Sequence, residues 1–274
     1  MYNLLIAGGC AVLAYAIGAF AASPIAGLIP AVLAFGGALF FTSRRIGKQI
    51  ELIAKKAMEE LQGGNMAAAR ATFRTALPLG KWQVLVAPQI HAQLGAIDYL
   101  EACSLLMQRQ VTSSKQKFTE SKSELEQARD WRARTMLACV LHRENSTDAA
   151  VATLKDVERP GKTRFMPGAS PSGEALFYGV YAYVLNEAKR RDEALQVVGR
   201  GLESLPKHAG LLAIQEAMSN RKRPDFKVFG EGWYQFFPEH IPQEVLIEQA
   251  RAAGRLPAQQ PAANRQMTWP QPRR

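Results

Sequence analysis

The chain has 274 residues, a formal net charge of +10 and a mean hydropathy of −0.13. Residues 1–41 contain no Lys, Arg, Asp, Glu or His, so all 34 basic and 24 acidic side chains fall within 42–274. That partition excludes a fully soluble protein, and the lack of a later long apolar run excludes a multi-span transporter. Cys10, Cys103 and Cys139 are odd in number and widely spaced. They form neither a disulfide framework nor a paired-thiolate zinc pattern, and reduced surroundings are the expectation.

Residues 2–22 form an apolar run that reaches ~31 Å as a helix, the thickness of a hydrocarbon core. Ser23-Pro24 interrupts it, and residues 25–41 supply a second, shorter run. The pattern predicts a transmembrane helical hairpin over 1–43, with many Gly and Ala residues permitting close helix approach. The second run also fits a re-entrant segment. A cleaved signal peptide is the rival reading, with Ala19-Phe20-Ala21 as a small-x-small site, but the start has no basic side chain. Arg44, Arg45, Lys48, Lys55 and Lys56 flank the second run and keep that side cytoplasmic, as expected for a bacterial inner-membrane protein. They also suit anionic lipid headgroups.

From residue 44 the composition favours helices, being rich in Ala, Leu, Glu, Gln, Lys and Arg without alternating β-branched runs. A short turn followed by small and large apolar positions recurs. It appears at Gly64-Asn65-Met66 with Ala69, Phe73, Ala76 and Leu77, then at residues 145–157 with Asp148, Ala150, Leu154 and Val157. It appears again at Arg191-Asp192-Glu193-Ala194 with Val198, Gly201, Leu202 and Pro206. Leu94-Gly95, Leu137-Ala138 and Tyr181-Ala182 precede the turns as large-then-small pairs.

These residues resemble the tetratricopeptide repeat (TPR) family, whose units are helix–turn–helix pairs of about 34 residues that stack side by side. The resemblance implies an all-α fold: an α-solenoid over 44–220 with units at 48–79, 84–129, 131–158 and 175–206, and a capping helix at 208–220. Residues 107–116 read as an insertion inside the second unit, and 159–173 as a loop between the third and fourth. The resemblance also implies a concave groove built from the first helix of each unit. Its partner-binding candidates are Gln89, Tyr99, Arg132, Thr135, His142, Arg143, Tyr183, Asn186 and Arg221. Relatives often hold an extended peptide or an acidic chain terminus in such a groove, and guanidinium forks suit carboxylates. The asparagine-plus-lysine clamp of some relatives is incomplete, with Asn186 but no matching lysine.

Residues 221–253 carry a dense aromatic stretch: Phe226, Phe229, Trp233, Tyr234, Phe236 and Phe237. It fits three roles: a cover for the end of the stack, a partner contact or a dip into the membrane interface. Residues 244–253 suit a final short helix, and 254–274 are Pro-, Gln- and Arg-rich, as in disordered tails.

No residue pattern supports a reaction. Lys162-Thr163 lacks the earlier glycine of a phosphate loop, and Ser170 is followed by Pro171 and lacks the second glycine of a nucleophile elbow. His91, His142, His208 and His240 form no metal-spaced pair. The expectation is therefore no enzyme, no catalytic residue, no cofactor and no metal. Positive charge is interleaved with acids and accompanies no nucleic-acid motif. The sequence thus predicts a membrane-anchored cytoplasmic scaffold that binds a protein or peptide. The alternative is an accessory subunit of a membrane-embedded enzyme, secretion or envelope-assembly complex, contacted mainly through the hairpin.

Overall fold

A computed structural model describes all residues except 1, 22, 24, 26, 83–85, 159–169, 243–244 and 246–274. Pro24, most of the 159–173 loop with Lys162-Thr163, most of the 244–253 helix and the 254–274 tail lie outside the described residues. The eleven α-helices among the described residues belong to a compact unit spanning Met1–Pro238, and Glu239–Arg274 form a second unit. The protein is all-α, with no strand among the described residues.

Helix α1 (Tyr2–Ala21) packs along α2 (Leu28–Gln62). A Cβ at Gly18 would lie 2.7 Å from the Cα of Gly27, so the bare glycines set the closeness of this pair. Both helices are long and apolar enough to cross a membrane. Leu5, Val12, Leu13, Ile17, Ile29, Val32 and Leu33 point outward. Helix α2 does not stop at the end of the apolar run. It continues through Thr42 and Ser43, which the sequence reads as a boundary, and becomes the first helix of the next pair. The Thr42 hydroxyl donates to the Ala38 carbonyl at 2.7 Å, so the polar side chain is satisfied without breaking the helix.

Four helix pairs follow, each closed by the same turn. They are α2 with α3 (Met66–Thr75), α4 (Val86–Met107) with α5 (Val111–Gln127), α6 (Trp131–Arg143) with α7 (Thr147–Glu158), and α8 (Pro171–Glu187) with α9 (Arg191–Ser204). At every turn one residue adopts positive φ, namely Gly64, Arg109, Asn145 and Lys189. The next residue returns its N–H to the ending helix, as Gln110 does to Leu105 and Arg190 to Leu185 at 2.9 Å. This is a Schellman-type C-cap, and it satisfies carbonyls that a helix end leaves free. Each second helix begins two residues after the positive-φ residue. The same turn follows α10 (Ala209–Ser219), at Arg221.

The second pair differs from the sequence expectation. Residues 107–116 are no insertion: α4 runs to Met107, the turn takes three residues, and α5 begins at Val111. Polar side chains cap the starts of α3, α6 and α8. Asn65 Oδ1 accepts from Ala68 N–H and Asp130 Oδ1 from Ala133 N–H, both at 3.0 Å, and Ser170 Oγ accepts from Gly173 N–H at 3.2 Å. Pro171 then fits the first turn of α8, where its missing N–H is not needed.

Two apolar cores meet along α4. One joins α2, α3 and the front of α4 through Ala57, Ala69, Phe73, Ile90, Leu94 and Ile97. The other runs from Ala92 and Tyr99 of α4 through α5–α10 to Phe237. After α10 come a 3-10 turn at Phe226–Phe229 and the short α11 (Glu231–Tyr234), which pack on α8.

Candidate functional site

The first helices of the pairs, α4, α6 and α8, present a common face, and the structure divides it in two. Over one half lies the aromatic segment. Phe226, Trp233, Phe236 and Phe237 are buried there, and Tyr183 of α8 contacts three of them, with ring centroids 4.5–5.3 Å apart. A Cβ at Gly179 would overlap the Phe229 ring, so the bare glycine leaves room for it. His142 of α6 meets Tyr183 edge-on at 6.4 Å.

Arg143 sits within this aromatic layer. Its guanidinium lies 5.8 Å from the Tyr99 ring, 5.6 Å from Phe118 and 6.0 Å from Phe237, a cation held among three π faces. Its Nε donates to the Tyr99 hydroxyl at 3.4 Å, while that hydroxyl donates to the Phe236 carbonyl. Burial pushes the Tyr99 hydroxyl well above its ordinary pKa, against the pull of Arg143, so it remains a proton donor. Burial also lowers His142, with Glu187 opposing the shift and Arg143 adding to it. Releasing the segment would expose four large aromatic side chains at roughly 2 kcal/mol each, about 8 kcal/mol in all. It is therefore part of the core rather than a displaceable lid.

The other half of the face is open. A cleft of about 720 Å³ lies between α2, α4 and α6, and Phe73 of α3, Ala76, Asp130 and Gln235 also line it. Ile50, Ile53, Met58 and Leu61 form its α2 wall, at spacings that repeat one helical stripe. Gln89, Ile90, Gln93 and Leu100 form the α4 wall, and Arg132 and Met136 the α6 wall. Arg132 also lies over the Trp131 ring at 5.4 Å. The cleft is mainly apolar, with the amides of Gln89, Gln93 and Gln235, the Arg132 guanidinium and the Asp130 carboxylate, which caps α6, among its lining groups. That chemistry suits an apolar side chain beside a carbonyl or carboxylate.

The nine groove candidates thus part company. Gln89 and Arg132 line the open cleft. Tyr99, His142, Arg143 and Tyr183 come together beneath or beside the aromatic segment. Thr135 is buried, and its hydroxyl donates to the Trp131 carbonyl of its own helix at 2.7 Å. Asn186 is half-buried near the end of α8, and Arg221 is exposed in the turn after α10. Arg44, Arg45, Lys48, Lys55 and Lys56 are all exposed on α2. The apolar stripe of α2 is a feature the groove candidates omit. Its signal was Ile50, Ile53, Ala54, Met58 and Leu61, which the first unit's 48–79 range contains.

Among the described residues no group of three or more His, Cys, Asp or Glu is placed to hold a metal ion. Comparison with protein-family models, curated proteins and solved structures gives no match to the chain.

Proposed function

We propose that the chain is a membrane-anchored scaffold of TPR type, an α-solenoid that captures a protein partner and holds it at a bacterial inner membrane. The hairpin α1–α2 is the anchor, and the helix pairs face the cytoplasm beside the basic flank of α2. The open cleft between α2, α4 and α6 carries this reading: its mainly apolar walls, with Gln89 and Arg132 among them, have room for a peptide side chain. The partner engages there, and the aromatic segment serves as permanent lining of the other half. Anchoring raises the local concentration of a weakly held peptide, so modest affinity suffices. No enzymatic step is part of the proposal.

Co-purification from cross-linked membranes tests it, comparing the native chain with Gln89→Ala/Arg132→Glu and Met58→Glu variants of confirmed helicity. A partner enriched by the native chain and lost from both variants supports the cleft. A partner kept by both refutes it.

A second reading has its own observation. Gly8 and Gly9 of α1, with Gly36 and Gly37 of α2, have open space where a Cβ would stand. Such notches suit another membrane helix, which fits an accessory subunit bound through the hairpin. Residues 1–45 fused to an unrelated soluble protein discriminate: entry of this fusion into the native complex selects the hairpin over the cleft.

A further inference from the structure

The joint between the first helix pair and the rest of the stack contains a buried carboxylate that no packing argument requires. Asp98 lies on α4 between Ile97, in the first core, and Tyr99, in the second. It is fully buried. Arg70 of α3 places a guanidinium nitrogen 3.1 Å from Oδ2, and Lys117 of α5 places its ammonium 4.0 Å from Oδ1. Neither approach is aligned as a hydrogen bond, and both carboxylate oxygens and Arg70 Nε are buried without one.

The cations are also shared. The same Arg70 nitrogen donates to Glu120 at 2.9 Å, and Lys117 lies 3.2 Å from Glu120 and 3.0 Å from Glu101. Three carboxylates therefore face two cations across α3, α4 and α5. With all five ionised, the cluster carries one uncompensated negative charge, and Asp98 is its most deeply buried member.

We infer that this cluster is a proton-sensitive seam: protonated Asp98 holds α3 closed on α4 and α5, and ionised Asp98 favours local opening. The inference does not depend on what the cleft binds. Burial lifts Asp98 from 3.8 to about 6, against Arg70 and Lys117, with Glu120 and Glu101 adding to the rise. A carboxyl raised in the closed state works opposite to the usual salt-bridged acid. The closed form gains from protonation below pH 6, and that gain disappears as pH rises from the ordinary value through the raised one. Opening returns Asp98 to water, where ionisation is favourable. Helix α4 carries the seam and also lines the cleft with Gln89, Gln93 and Leu100. Motion at the seam therefore moves a cleft wall, and proton uptake near pH 6 tunes it.

Hydrogen exchange on the full chain in detergent, corrected for intrinsic exchange rates, tests the inference. Peptides covering 66–75 and 94–102 should report local opening that rises with pH on the order of 100-fold in full, with about tenfold of it between pH 5 and pH 7.5. Peptides from 191–204 should lack this rise. In Asp98→Asn the rise should vanish. Glu101→Gln, which removes a like charge facing Asp98, should move the midpoint of the native transition to lower pH. A native chain whose opening is flat between pH 5 and 7.5 overturns the inference. So does a rise that persists in Asp98→Asn, or, should that variant not fold, an unmoved midpoint in Glu101→Gln.

Discussion

Substituting Gly95 by alanine tests how closely the second pair is packed. Helices α4 and α5 approach so nearly that the Ser121 hydroxyl donates to the Gly95 carbonyl and the Ser114 hydroxyl to the Ala102 carbonyl, each at 2.8 Å. A Cβ on Gly95 would stand 2.6 Å from Leu125 Cγ, 2.7 Å from its Cδ2 and 3.1 Å from its backbone nitrogen. Leu125 is fully buried, so the branch point cannot swing aside, and relief requires the helices to part. Overpacking of this kind costs about 1–3 kcal/mol. Parting the helices also stretches the Ser121 bond, worth about 1 kcal/mol, which gives a total near 2–4 kcal/mol.

The assay is thermal or denaturant unfolding of the full chain in detergent, followed by helical circular dichroism. A double-mutant cycle sharpens it. Leu125→Ala alone should cost about 2–5 kcal/mol through its cavity, but Gly95→Ala/Leu125→Ala should cost less than the sum, because the new methyl group enters the space that Leu125 vacates. A Gly95→Ala variant within 0.5 kcal/mol of the native chain would refute the packing argument. Strict additivity of the two changes would do the same.

The turn residues offer a gain of stability: Arg109→Gly and Lys189→Gly should each stabilise by about 1 kcal/mol by removing a Cβ from positive φ, with Asn145→Gly gaining less because asparagine tolerates that region. Melting temperatures rank the three. Trp233→Ala should cost about 3–5 kcal/mol and loosen Tyr183 and Phe226, seen as faster exchange in 171–187; a loss under 1 kcal/mol would mean that the segment is not core. For His142, the lowered folded pKa means that its contribution is intact above pH 6.5 and is lost as pH falls through that value towards the folded one. His142→Phe should therefore flatten the acid side of the stability profile, and an unchanged profile would count against the shift. A reporter active only in the cytoplasm, fused after Arg274, should be active; silence at normal expression would reverse the proposed orientation.

The all-α class was legible because helix formers and 3.6-residue apolar spacing agree along the chain. Leu94-Gly95 was visible as a large-then-small pair, and Gly95 is where α4 and α5 approach closely. The turn after α4 was not legible. Arg109 takes a conformation normally signalled by glycine, so Thr112-Ser113-Ser114 reads as a polar insertion, although Ser114 faces inward to bond Ala102. The aromatic segment was visible as a cluster, but its landing place was not. Contacts such as Tyr99 with Phe236 span well over a hundred positions and leave no local periodicity. Asp98 was invisible for a related reason: its burial depends on α3 and α5 closing over it, and one aspartate in a helix ordinarily marks a solvated face.

Helix α2 has a mechanical consequence. As one rod of 35 residues it spans about 52 Å, from the apolar run to the first turn of the stack, with no joint between. On the membrane reading proposed above, the scaffold is mounted on a mast rather than tied by a string. Ile50 stands about 14 Å and Leu61 about 30 Å beyond Phe41 along the rod. The cleft is thus offered at a fixed standoff and a fixed compass bearing relative to α1. A partner need not search a hemisphere, but it must present its binding element at that height, and a glycine–serine insertion at residue 43 would abolish the advantage while leaving both the anchor and the cleft intact.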